Sequence, residues 1–439
     1  MDRLTLFPDT ARIENDAISV GGQDLSSLAD TYGTPLYLYD RVTLDRAVGR
    51  YRDALKASYP ASASITYAGK AFLCKAIAQW TRLQRLSLDC SGEGEIACAL
   101  AAGLQRDSII VHGVNKSFAD LRSSLQHAGT LVVDNLDELQ HLASLIGEKR
   151  SGSAQAAHCP NVWLRLQPGI EIETHHAHTQ TGGAQSKFGM TAEEIAQAAE
   201  IARSHGLPLV GMHFHLGSNF RDTAPLIAAV ELALDLARGL GFPETWHFSP
   251  GGGWGVAYHE DELPVPGVDT YVRTIGRTIV RRCRANGLPL PQLHLEPGRS
   301  LVARAGLVLY RVGGVKKRGG RTWLLTDGGM ADNPRHALYG SRYSAMPVHG
   351  VSRPMTEMVS IGGPFCESGD VILEDLRMPA VQEGELIAVP VSGAYQLSLS
   401  SNYNGSRRPA VLWLEKGAAR LIIRRETLDD LLQRDLSLT

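Results

Sequence analysis

Two rhythms alternate along the first 300 residues. Short apolar runs, the mark of buried strands, are separated by stretches in which apolar residues recur every three or four positions, the mark of amphipathic helices. The runs are ITYA (65–68), LSLD (86–89), IIVHG (109–113), LVVDN ending at Asn135, VWLRL (162–166), LVGMHFH (209–215), TWHFSP (245–250) and QLHLE (292–296). Helical spacing occupies 93–103, 117–127, 136–146, 191–205, 223–240 and 268–287. Eight strand–helix units over roughly 240 residues predict an α/β fold of the (β/α)8 barrel type. After Arg299 the texture becomes β-rich, with runs such as LVARAGLVLYRVGGV, EMVSIGG, ELIAVPVSGAY and ARLIIRRE, and helical spacing returns only in TLDDLLQRDL. This predicts a second, antiparallel β-barrel-like domain. The runs LTLFP and AISVGG near the start are β-like as well. The expected division is therefore a barrel over 35–300 and a β-rich domain built from 1–34 and 301–439.

Composition narrows the class of protein. The 439 residues are 44% hydrophobic and 21% charged, which excludes a disordered chain or a fibre. Lys plus Arg is 44 against 46 Asp plus Glu, so no global basic field exists to hold nucleic acid or an anionic membrane. The six cysteines, Cys74, Cys90, Cys98, Cys159, Cys283 and Cys366, are scattered without a CxxC pair, which argues against a disulfide scaffold or a zinc ribbon. The first residues lack the apolar core of a signal peptide. The apolar stretch Leu226–Phe242 is broken by Glu231, Asp235 and Arg238 and reads as an amphipathic helix, not a membrane span. A reducing cytoplasm is the expected location.

In a barrel of this type the chemistry gathers at the C-terminal ends of the strands. Those ends carry Lys70; Asp89, with Glu95 following; His112; Asp134; Arg165; His213 and His215, with Ser218 beyond; Gly251, Gly252 and Gly253; and Glu296 with Arg299. A lone lysine is usually solvated, but one ending an apolar strand suits a Schiff base. A glycine triplet is usually a tight turn, yet it also lets backbone N–H groups approach a phosphate. His213 and His215, two apart on a strand, face one side, which leaves three readings: packing, a metal pair, or stacking on an aromatic cofactor. A glutamate facing a pyridine nitrogen would keep that ring protonated and electron-accepting. Lysine, glycines and glutamate together describe a pyridoxal phosphate site.

The motifs then carry a resemblance. TYAGKAF, SGEGEI, HGVNKS, VVDNLDEL, LRLQPGIE, SKFGM, HFHLGS, GGG, EPGR, RHALYG, CESGD, GAY and SSNYNGSRRPA occur in the order of the pyridoxal-phosphate-dependent decarboxylases with the alanine-racemase fold, over about residues 35 to 410. Within that family the chain most resembles the branch that decarboxylates diaminopimelate in lysine biosynthesis. The resemblance implies that Lys70 carries the cofactor and that His215 stacks on its ring. It implies that Ser218, Gly251, Gly252 and Gly253 meet the phosphate, that Glu296 faces the ring nitrogen, and that Asp89 and Glu95 support the Lys70 side. Arg299 would lie near phosphate and substrate carboxylate. Arg335 and Tyr339 would bind the substrate carboxylate. Tyr395 would touch cofactor and substrate. Cys366 and Glu367 would enter from the other subunit of a homodimer with shared active sites, Cys366 near the Cα proton and Glu367 at the distal amino group.

Departures from the family pattern bear on the substrate. Ser249 and Pro250 precede the triplet, Trp254 follows it, and Phe72 closes the lysine motif where asparagine is common. The rival readings are a decarboxylase of ornithine, lysine or arginine, a racemase of the same fold, a metal-dependent barrel hydrolase using His213 and His215, and a binding homologue without activity. The cluster His175, His176 and His178 reads as a loop over the active site or, less simply, as a metal site.

Overall fold

The computed structural model describes residues 3–152, 159–172 and 181–438. The chain divides into two compact units, Val48–Gly255 with Pro266–Gly298, and Met1–Ala47 with Val256–Val265 and Arg299–Thr439.

The first unit is a closed barrel of eight parallel strands in chain order: β1 (Ala63–Ala68), β2 (Ser87–Cys90), β3 (Ile109–Val111), β4 (Thr130–Val133), β5 (Asn161–Arg165), β6 (Leu209–His213), β7 (His247–Ser249) and β8 (Gln292–Leu295). Pairing of His294 with Ser64 closes β8 onto β1. Each of the eight apolar runs expected to build the barrel overlaps one of these strands. The strands read as continuous apolar runs because both faces are covered, by helices outside and by side chains within. Trp163 of β5 crosses the lumen to His247 and His294, ring centroids 5.5 and 4.6 Å away. A Cβ on Gly211 would lie 2.4 Å from that indole. The barrel is therefore a packed core rather than a pore.

Two of the surrounding helices start at side-chain caps legible in the sequence. Ser117 with Asp120 and Thr191 with Glu194 form capping boxes at Phe118–His127 and Ala192–Ser204. Gly287, in the left-handed conformation, ends Val268–Asn286. No helix among the described residues is long and apolar enough to cross a membrane.

The second unit is a mixed sheet around the 13-residue strand Gly306–Arg318. Most pairs are antiparallel, but Arg321–Thr326 with Glu357–Gly362 and Leu36–Asp40 with Ala410–Glu415 are parallel. Leu36–Asp40 belongs to this sheet, flanked by Gly306–Arg318 and Ala410–Glu415, although sequence reading places residues from 35 onward with the barrel. All five of its residues are buried, as a central strand covered on both faces requires. Of the two early β-like runs, only Ala17–Val20 is a strand. LTLFP forms turns, and its Leu6 and Phe7 are nonetheless buried.

Candidate active site

β1 runs into a single 3-10 turn, Gly69–Ala71, which presents Lys70 at the barrel rim with its side chain exposed. The turn is pinned by Tyr67, whose hydroxyl donates to Phe72 O at 2.6 Å. A Cβ on Gly69 would lie 2.8 Å from Asp89 O, so the turn passes the end of β2 only as glycine. Burial pushes the Asp89 carboxyl up to about 8, against the opposing pull of the Lys70 ammonium. Burial also raises Glu95, opposed by the Ser91 N–H, 2.6 Å from Oε2, and by Lys70.

The ends of β3, β6 and β7 meet the residue that follows β8. Glu296 is 7% exposed. Its Oε2 accepts from His213 Nε2 at 3.0 Å and its Oε1 from Ser249 Oγ at 2.7 Å. His112 Nε2 lies 3.6 Å from Oε1 without a hydrogen-bond partner, and its ring meets that of His213 edge-on at 4.8 Å. Burial alone would raise Glu296. His213 and His112, with the hydrogen bonds from His213 and Ser249, instead hold it well below the usual carboxylate range. Glu296 is thus a buried anion.

His213 and His215 meet different partners: β6 ends at His213, whose ring turns to Glu296. His215 turns instead to the glycine triplet, where its Nδ1 accepts from Gly252 N at 3.3 Å. Burial holds its imidazole well below the ordinary value, with the charges of Lys70 and Arg165 adding to the effect, so it is neutral. The triplet has no room for side chains. A Cβ on Gly252 would lie 2.0 Å from Glu296 O, and one on Gly253 2.0 Å from Gly217 O. The Gly251 and Gly252 N–H groups bond to Ser249 Oγ and His215 Nδ1, so as placed these two residues contribute space. Trp254 packs edge-on against Tyr51 and Tyr271, which accounts for a large residue after the triplet. Ser218 is half-buried in the loop beyond β6.

The second unit holds its own cationic cluster. Arg335 opens the short helix Arg335–Tyr339, which places Tyr339 one turn on, and its side chain is 1% exposed. Its guanidinium stacks over Tyr258 at 4.4 Å, and Nη1 donates to Tyr343 Oη at 2.8 Å. Tyr343 in turn donates to the Gln396 carbonyl oxygen at 2.5 Å. Among the described residues Arg335 has no carboxylate partner, and its Nε has no acceptor. Arg299, also buried, donates to the Tyr258 hydroxyl and lies over Tyr395 at 4.6 Å. Tyr395 is held at φ +65°, a conformation that a tyrosine adopts only where its surroundings impose it.

Cys366 and Glu367 occupy an exposed loop between Glu357–Gly362 and Val371–Met378. Asp370 shapes that loop by accepting from Met330 N at 2.7 Å and Phe365 N at 2.8 Å. His175, His176 and His178 lie outside the described residues. Sequence reading assigns no role to His112, Tyr258, Tyr343 or Gln396, and lists Ser249 only as a departure. The signal for His112 and Ser249 was their place at strand ends; the other three carry none.

Comparison with known proteins decides between the readings of this rim. Residues 43–303, more than half of the chain, match the family described as the pyridoxal-dependent decarboxylases, pyridoxal binding domain. The chain belongs to this family. The diaminopimelate decarboxylase of Bacillus subtilis is 38% identical over 95% of both chains. That of Synechocystis is 36% identical over 98% of this chain and 92% of its own. Among solved structures, diaminopimelate decarboxylase from M. jannaschii superposes with a TM-score of 0.89 at 28% identity, covering 98% of each chain. The Helicobacter pylori enzyme, complexed with L-lysine, gives 0.83 at 29% identity over 93% of this chain and 98% of that one.

The residues present suit pyridoxal phosphate, the cofactor of this decarboxylase family. The rim offers an exposed amine, a buried carboxylate, a neutral imidazole and a cradle that any Cβ would fill. Gly252→Ala is therefore expected to weaken pyridoxal phosphate binding at least about tenfold, read by fluorescence titration of the apoprotein, since the added methyl must displace backbone.

Proposed function

We propose that the chain decarboxylates meso-2,6-diaminopimelate to L-lysine and CO2, with pyridoxal phosphate on Lys70, and works as a cytoplasmic homodimer. The observation that carries the reading is Arg335, a buried guanidinium without a carboxylate partner among the described residues. Ornithine, lysine and arginine have one carboxylate, which leaves in the reaction. Diaminopimelate keeps a second, and a planar, permanently charged fork is the group that holds it. The names of the relatives agree.

When bound, the cofactor supplies an electron sink for the pair left on Cα as CO2 departs. The remaining tasks fall to the chain. Lys70 would hold the cofactor through its amine. Glu296, a buried anion, would face the ring nitrogen, and the neutral His215 would stack on the ring. Ser218 and the triplet would seat the phosphate, with Asp89 and Glu95 beside Lys70. Arg299 and Arg335, with Tyr339 and Tyr395, orient the substrate. Cys366 returns a proton to Cα and Glu367 receives the distal ammonium, both contributed to the partner's site. Their exposure on a loop of the single chain supports that last assignment.

The test is CO2 release from meso-diaminopimelate, lysine, ornithine and arginine with added pyridoxal phosphate. Diaminopimelate is expected to be preferred at least about a hundredfold, the scale of one buried charge pair. Release from lysine or ornithine at comparable kcat/KM would overturn the assignment. His112, His213 and Glu296 lie within 4.8 Å of one another, a spacing that could also hold an ion. Dialysis against a chelator separates that reading, and activity is expected to survive it unchanged.

A further inference from the structure

A carboxylate with one hydrogen bond can rotate about its last torsion; one with a donor on each oxygen cannot. Glu296 has His213 Nε2 on Oε2 and Ser249 Oγ on Oε1. Because a carboxylate only accepts, both neighbours must donate. For Ser249 the direction is set from behind. Gly251 N donates to Ser249 Oγ at 3.1 Å, occupying a lone pair and leaving the hydroxyl proton for Glu296. Ser249 is fully buried, so its hydroxyl has no water to turn toward. The chain Gly251 N–H, Ser249 O–H, Glu296 thus joins the first glycine of the triplet to the carboxylate, across the ends of β7 and β8.

We propose that Ser249 is a positioning residue. With His213 it fixes the plane of the Glu296 carboxylate, and among the described residues it is the side chain that ties that carboxylate to the glycine triplet. The backbone already holds the two in register, since Glu296 N donates to Gly251 O at 3.0 Å; what the Ser249 hydroxyl adds is a coupling of the carboxylate itself to the loop that would seat the phosphate. The residue first noticed as a departure from the family pattern is, on this view, the joint between the two halves of the cofactor site. The inference rests on the reading that Glu296 faces the ring nitrogen.

Ser249→Ala, Ser249→Thr and Glu296→Gln, each as purified holoenzyme, test it. Ser249→Ala is expected to lower kcat at least about tenfold, the effect of removing a buried hydrogen bond to a charge, with KM within about twofold. It is also expected to shift the pH midpoint of the bound cofactor's visible absorbance, a signature that loss of packing alone does not move. Ser249→Thr, which keeps the hydroxyl, should restore most of both. Should Ser249→Ala fail to fold, Ser249→Gly removes the same hydroxyl and is read the same way. Parental kcat and spectrum in the hydroxyl-free variant, alongside a damaged Glu296→Gln, overturn the role of Ser249 and leave that of Glu296 standing. Parental behaviour in Glu296→Gln overturns the underlying reading instead.

Discussion

Lys70→Ala is expected to abolish CO2 release, by at least about a thousandfold, and to leave a chain that no longer shows the visible band of a covalently held cofactor. Borohydride should fix label on the parent chain and none on the variant. The size of the effect follows from where the lysine sits. It ends β1 on a turn held by Tyr67 and Gly69, so its amine is presented at one place on the rim. Among the described residues no other lysine combines exposure with a buried carboxyl, Asp89, and a half-buried one, Glu95, that both feel its charge. The buried Lys116 is not a substitute, because its amine already donates to Gly113 O, Val132 O and Glu138 Oε1 at 2.7 to 2.9 Å. Removing an exposed side chain from a turn that the backbone and Tyr67 hold together should change stability by no more than about 0.5 kcal/mol. An inactive variant with the parent's thermal midpoint and oligomeric state is the expected result. Turnover retained by Lys70→Ala would sink the whole assignment.

The barrel was legible because its signal is local. Each run such as VWLRL or QLHLE is a strand buried on both faces, and some of the amphipathic stretches between them carry their own start signal, as Ser117 and Thr191 do. The second unit was legible only as β-rich. Leu36–Asp40 pairs with Ala410–Glu415, partners more than 370 positions away, and nothing within LYLYD names them. The same distinction divides the site. Lys70, the triplet and Glu296 could be found because barrel strands must end somewhere and those ends are polar. The spread of His213 and His215 to different partners could not, because it depends on β6 ending at His213. Tyr258, Tyr343 and Gln396 were invisible for a physical reason: a tyrosine under a guanidinium looks like any core aromatic until the arginine is placed.

Arg335→Met separates substrate recognition from catalysis on the cofactor. KM for diaminopimelate should rise at least about a hundredfold, since a desolvated charge pair truncated on one side costs on the order of 2 to 5 kcal/mol. Cofactor content and its visible band should stay those of the parent, because Arg335 is assigned to the substrate alone. Arg335 is also a structural residue, stacked on Tyr258 and bonded to Tyr343. Its loss leaves the Tyr343 hydroxyl with Gln396 as its remaining partner, so a lowered thermal midpoint is expected as well. Arg335→Lys distinguishes the two contributions. It keeps the charge but not the fork, so it should recover part of the affinity and little of the stacking. If Arg335 were only a scaffold for the tyrosines, both variants would lose stability and leave KM where it was. If it holds the second carboxylate, the preference for diaminopimelate over lysine must fall in step with the rise in KM, because lysine has no second carboxylate to lose.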